Sequence, residues 1–338
     1  MKKRKSLESH QFLLIITIML FVVMYGIGMI VFKENGFTKL QVFLNLFISN
    51  SGLIVIAASM TMVLITGGID ISVGSVVALT CMILSFEMEI RQMSAVGALL
   101  FVLMIGLIFG LVQGILIAYL KIQPFIVTLA GMFFARGMTA IISTDMISIK
   151  NETFRSWAQA RIYLPFLGYI NRKGVMVYPY IYPSVVIALI LVLLIFIMLR
   201  FTKFGRSIYA IGGNEQSALL MGINVRRTKL KVYVLNGLLA TIGGFLFCLN
   251  TCSGFVEQAK GLEMEAIAGA VIGGTLLTGG VGNVIGSLFG VLIKGTIETF
   301  INFQGTLSSW WTKITIAALL AFFIILQSLF ARAKKKQR

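Results

Sequence analysis

Stretches of roughly 20 apolar residues recur along the whole chain, and that is the length a helix needs to cross the hydrocarbon core of a bilayer. They fall at 12–32, 42–64, 70–86, 95–120, 124–143, 181–199, 232–251, 266–277, 281–301 and 310–330, the eighth being short and glycine-rich. The expected fold class is therefore all-α integral membrane, with about ten transmembrane helices. Hydrophobic residues make up 58% of the 338 and charged residues only 12%. A soluble domain carries about 25% charged residues, so a cytosolic enzyme and a disordered chain are both excluded. The spans leave no room for a separate soluble catalytic domain, and residues 1–338 read as one transmembrane domain.

The chain holds 29 Lys+Arg against 12 Asp+Glu. In a soluble protein this excess would point to nucleic acid. In a membrane protein cationic loops hold the orientation, so the lipid bilayer is the expected partner and nucleic acid is not. An even number of spans puts both termini on one side. With that side cytoplasmic, Lys2, Lys3, Arg4 and Lys5 lie inside with Arg332, Lys334, Lys335, Lys336 and Arg338. The same choice makes 200–231 a cytoplasmic loop carrying Arg200, Lys203, Arg206, Arg226, Arg227, Lys229 and Lys231, and makes 144–180 an external loop. The external loop runs against the bias, with Lys150, Arg155, Arg161, Arg172 and Lys173.

Cys81, Cys248 and Cys252 all lie in apolar stretches and read as packing residues. With His10 the one histidine, neither a metal site nor a cofactor is expected. The basic start followed by 12–32 has too long an apolar run for a signal peptide and reads as an uncleaved first span.

The chain also repeats itself weakly. Residues 67–75 and 279–287 both read G-G-x5-G-S. The repeat lays spans two to four onto eight to ten in the same orientation, and such internal repeats occur in transporter folds. Inside the first copy stands Asp70, preceded by Gly67 and Gly68 and followed by Ser72. A charge in the bilayer needs a reason. Asp70 either caps the next helix by accepting backbone N–H bonds or lies on a translocation path. Span two carries Asn45, Asn50, Ser51, Ser59 and Thr61, which line a path or bond between helices. Lys294 and Glu298, at i and i+4, neutralise each other. Arg136 and Lys313 snorkel from span ends. Gly106, Gly110 and Gly114 permit close helix contact, and Trp310 and Trp311 mark an interfacial belt.

Within 200–231, Asn214 reads as an N-cap, Glu215 lies in a first turn, and Gly222 ends the helix at positive φ. The result is a short, capped helix, either a simple connector or one displayed to a partner. The run Glu215, Ala218, Gly222, E-x-x-A-x-x-x-G, resembles the coupling-helix motif of ABC importer permeases. Residues 66–75 (TGGIDISVGS) resemble the hallmark of the ribose/sugar branch of that family, and 270–282 (AVIGGTLLTGGVG) a further block of it. Residues 128–137 (TLAGMFFARG) and 305–313 (GTLSSWWTK) resemble permeases of galactofuranose importers.

The resemblance implies a type II importer-like permease in the bacterial inner membrane, a transport subunit rather than an enzyme. It would import a sugar, as one half of a permease dimer with an identical or related second subunit. Hydrolysis would belong to a separate ATP-binding cassette subunit gripping Asn214, Glu215, Ala218 and Gly222, since no G-x-x-x-x-G-K-[ST] motif appears. An external substrate-binding protein would deliver the sugar, with Arg155, Arg161, Arg172 and Lys173 as its docking charges. Two rivals are an ion-coupled secondary transporter, which would want more buried carboxylates, and a membrane enzyme on lipid-linked sugar, which would want paired acids or a metal cluster.

Overall fold

The computed structural model describes residues 9–165, 168–170, 176–308 and 310–336. Thirteen helices are described: α1 (Ser9–Val31), α2 (Leu40–Ile65), α3 (Val73–Glu89), α4 (Ala95–Ala118), α5 (Pro124–Ile142), α6 (Glu152–Gln159), α7 (Pro183–Phe201), α8 (Lys203–Gly213), α9 (Glu215–Leu220), α10 (Val225–Thr251), α11 (Leu262–Ile272), α12 (Val284–Gln304) and α13 (Trp310–Lys336). Seven of them are long and apolar enough to cross a membrane: α2, α4, α5, α7, α10, α12 and Leu13–Val31 of α1. Helix α13 adds the shorter apolar run Trp310–Leu326.

The eighth expected span needs correction. Helix α11 has 11 residues, about 16 Å at 1.5 Å per residue, half the thickness of a hydrocarbon core. Its run is cut at Gly273 and Gly274, the latter at φ +91°. Eleven residues of turns and extended chain, 273–283, then lead to α12. The stretch 200–231 carries more helix than the one short helix expected there. It holds α8, α9 and the start of α10, which begins seven residues before the expected boundary. Thr202, Asn214 and Asn224 cap these three helices in turn, each side chain accepting a backbone N–H at 2.8–3.1 Å.

The centre of the bundle is α2, with every side chain from Asn50 to Ile65 buried. It packs against α7, α10, α11 and α12, and α10 packs in turn against α3 and α4. Lipid supplies no hydrophobic drive between helices, so close backbone approach has to supply it. The stripe Gly106, Gly110, Gly114 does this on α4: added Cβ atoms would collide with Gly237 and Thr241, Tyr233 and Leu230 of α10. The outer faces of α1, α4, α5 and α7 expose large apolar side chains, including Leu100, Phe133 and Leu193, as lipid requires.

The stretch 144–180 adds α6 and three two-stranded antiparallel ribbons: β1 (Ile147–Ser148) with β6 (Ser253–Gly254), β2 (Ile162–Tyr163) with β5 (Tyr180–Ile181), and β3 (Tyr169–Ile170) with β4 (Met176–Val177). The first ribbon ties this end of the bundle to the chain leaving α10, and Ile149 N–H extends it by donating to the Cys252 carbonyl at 2.8 Å.

Candidate functional site

Three parts of the bundle carry the polar chemistry, and the first is a junction of glycine pairs. Gly67-Gly68 follows α2, Gly212-Gly213 ends α8 and Gly279-Gly280 precedes α12. The three pairs meet. The Gly280 N–H donates to the Ile65 carbonyl at 2.8 Å. A Cβ at Gly212 would collide with that same carbonyl, one at Gly279 would lie 2.8 Å from the Gly67 nitrogen, and one at Gly280 would lie 2.9 Å from the Gly213 Cα. The hairpin α8–α9 thus touches the end of α2 at Ile65 and the second copy of the repeated motif at Gly280, and Gly279 of that copy approaches Gly67 of the first. Tyr209 of α8 strengthens the joint by donating its hydroxyl to the Gly282 carbonyl at 2.9 Å. Burial pushes this phenol above its ordinary pKa, so it stays protonated and keeps that bond.

The second part is the network around Asp70, which is 2% exposed. Its Oδ1 accepts from the Ser72 backbone N–H at 2.8 Å and the Ser72 hydroxyl at 2.5 Å. Its Oδ2 accepts from Asn236 of α10 at 2.6 Å, and Gln113 of α4 donates to the Ser72 hydroxyl at 3.0 Å. Asp70 therefore stands two residues ahead of the N-cap position, which Ser72 holds, and pins the break between α2 and α3 to α10 and α4. Asn236 and Gln113 were not singled out from the sequence. Nothing local marks them, because their partners are 166 and 41 residues away.

The third part is a cavity of about 370 Å³ near the middle of α12. Lys294 carries the expected pair with Glu298, at 2.5 Å, and a second across to Glu265 of α11 at 3.2 Å. Asn50, 3% exposed, accepts from the same amine at 3.3 Å. The far wall is the segment between β6 and α11. Gln258 there is 2% exposed, donates to the Thr251 hydroxyl at 2.9 Å and accepts from the Phe255 N–H at 3.2 Å. Arg136 does not snorkel. It donates to the carbonyls of Val256 and Gln258, the second at 2.8 Å, and so anchors that wall to α5. Asn45 is exposed and outside the cavity, accepting from Gln41 at 2.9 Å.

In helix α9, Asn214 caps through Ser217 N–H at 2.8 Å, and Glu215 pairs with Lys229 at 2.7 Å. Ala218 is fully buried against Ile211 and Val225, and Gly222 stands at φ +79° with open space around its Cα. Leu219, Leu220 and Met221 are 62%, 86% and 67% exposed, an apolar tip that sequence reading passed over because Leu and Met look like core residues. Arg155 and Arg161 are exposed at the opposite end of the bundle, Arg161 lying 4.5 Å over the Tyr180 ring. Arg172 and Lys173 lie outside the described residues.

A polar-lined helical bundle with a capped helical hairpin docked on its discontinuities defines a membrane transport protein. Residues 42–324 match the family model described as branched-chain amino acid transport system / permease component, and the chain belongs to that family. It is 44% identical to the inner membrane ABC transporter permease protein YjfF of Escherichia coli K12, over 93% of this chain and 91% of that one. It is 34% identical to the fructose import permease protein FruG of Bifidobacterium longum, over 96% and 93%. It is also 34% identical to the ribose import permease protein RbsC of Escherichia coli K12, over 88% of each. No solved structure matches. The chain is thus an ABC transporter permease component of the inner membrane, a transport subunit and not an enzyme.

Proposed function

We propose that the chain is the membrane half of an ATP-driven importer of a monosaccharide. A separate ATP-binding subunit would sit beneath α9, an external binding protein would sit above the α6 end, and a second permease subunit, identical or related, would complete the pathway. Relatives named for fructose and ribose import support the monosaccharide class. The narrower substrate, galactofuranose, rests on the stretches 128–137 and 305–313 alone. In this reading the α8–α9 end is cytoplasmic and the chain crosses ten times, with α3, α13 and the pair of α11 and 273–283 supplying the crossings that the seven long helices do not. The shared G-G-x5-G-S motif, with α3 starting at its seventh position and α12 at its sixth, supports an internal repeat.

The observation that carries the proposal is the joint between α8–α9, the end of α2 and the second glycine break. At the base of the hairpin Gly212 meets Ile65 and Gly280 backbone against backbone, with no side chain between them. A partner binding the tip at Leu219–Met221 would bias two packed arrangements of the bundle.

The test is Gly222→Leu. Beyond its chain neighbours nothing lies within 4 Å of the Cβ position, so the cost expected in the permease alone is chiefly the left-handed backbone, about 1–2 kcal/mol. The variant should fold and insert, yet lose co-purification of the ATP-binding subunit and sugar-stimulated ATP hydrolysis in reconstituted membranes. Full co-purification with full coupled hydrolysis would refute the role of α9.

A further inference from the structure

We propose that the cavity between α2, α10, α11 and α12 is a transit site that accepts neutral polyhydroxylated solutes and turns away anionic ones such as sugar acids and sugar phosphates. The inference deepens the import reading above and rests on it.

The size fits. A cavity of about 370 Å³ is at the small end of the range for small-molecule sites, about 300–1,000 Å³. The chemistry is more specific. An ammonium has three protons to donate, and those of Lys294 are matched by Glu265, Glu298 and Asn50. Two carboxylates against one ammonium leave this cluster with one negative charge in excess, Glu265 lining the cavity and Glu298 joined to it through Lys294. Lys260, the other cation of the lining, is paired with Glu257 at 2.8 Å where both are largely exposed. Among the described residues the lining therefore offers an anion no uncommitted cation. Glu265 and Glu257 offer acceptor oxygens in the lining, and hydroxyl groups donating to them make charge-assisted bonds. Gln258 and Thr251 are already bonded to each other, so the wall is set before a solute arrives. A carboxylate or phosphate entering here would give up its water and meet like charge.

The experiment needs neither ATP nor the binding protein. Ser49 lines the cavity and is exposed. Ser49→Cys is made in a Cys252→Ser background, since Cys81 and Cys248 are buried. The full-length chain in lipid nanodiscs is treated with a cationic and an anionic methanethiosulfonate of similar size, and each rate is divided by that for the denatured chain. The cationic reagent should be favoured on the order of tenfold, the Coulomb factor for one charge at about 8 Å between water and a protein surface. Glu298→Gln, and independently Glu265→Gln, should bring the ratio close to one. Millimolar D-ribose, D-fructose or D-galactose should slow both reagents, and D-galacturonate should not. Equal rates, a ratio unmoved by both Gln variants, protection by no sugar, or equal protection by galacturonate would overturn the site. Any of these with coupled ATP hydrolysis intact would leave the import reading standing, whereas a normal Gly222→Leu variant would remove that reading without touching the thiol chemistry.

Discussion

At the first glycine break, residues 66–72, side chains hold the chain: Asp70 bonds Ser72 and Asn236, and Gln113 closes the network. At the second, residues 273–283, backbone bonds run through the segment, and Tyr209 of α8 reaches it with a side-chain hydrogen bond. Thr275 N–H donates to the Ala270 carbonyl, Leu276 N–H to that of Val281 and Gly279 N–H to that of Leu276, with Gly274, Gly279 and Gly280 at positive φ. The same motif therefore yields two kinds of discontinuity. The first follows a full-length helix of 26 residues and is locked to α4 and α10. The second follows a half-length helix of 11 residues and leans on the α8–α9 hairpin. A break locked by buried polar bonds suits a fixed pivot. One built from turns against a docking hairpin suits the part that moves.

The sharpest way to break this comparison is at Gly212 of α8, which meets both the end of α2 and the second break. Gly212→Ala drives a Cβ into the Ile65 carbonyl, which has no side-chain freedom to yield. It should cost more than about 3 kcal/mol, or all folded yield, because overpacking against backbone relaxes poorly. Its neighbour Gly213 has open space at the same position, so Gly213→Ala should shift the melting temperature in detergent little. Equal effects of the two would dissolve the junction.

Next in size is the side-chain lock. Asp70→Ala leaves Asn236 and Ser72 without their buried acceptor, a loss of about 3 kcal/mol. It should lower stability while leaving the preference among sugars unchanged. Normal stability with altered preference would move Asp70 from the pivot to the pathway. At the second break Asn283 caps α12 by accepting from Ile285 N–H at 2.9 Å. Asn283→Ala should cost only about 1 kcal/mol, and thermal unfolding of the two variants side by side tests whether the first break is the firmer one. Smallest of all should be Glu215→Ala. Its pair with Lys229 leaves Glu215 54% exposed, and such pairs contribute about 0–1 kcal/mol. A loss of ATPase coupling far beyond that would mean the partner reads the carboxylate directly.

Apolar run length alone determined that this chain is an all-helical membrane protein, and it located most helices to within a few residues. Cap and turn residues marked α9, because Asn214 and Gly222 act on backbone within a few positions of themselves. The close contact of α4 with α10 was readable for the same reason: small residues at i and i+4 build one helix face whatever lies opposite. The tertiary structure decided the rest. It showed that α11 stops halfway, since a run of apolar residues does not reveal whether it stays helical through Gly273-Gly274. It showed that Arg136 braces the wall at Gln258 rather than reaching for water. It also joined Lys294 to Glu265 and Asn50, and Gly212 to Ile65 and Gly280. Those pairings span tens to hundreds of residues, and a hydrogen bond or a steric contact depends on positions in space that local sequence pattern does not encode.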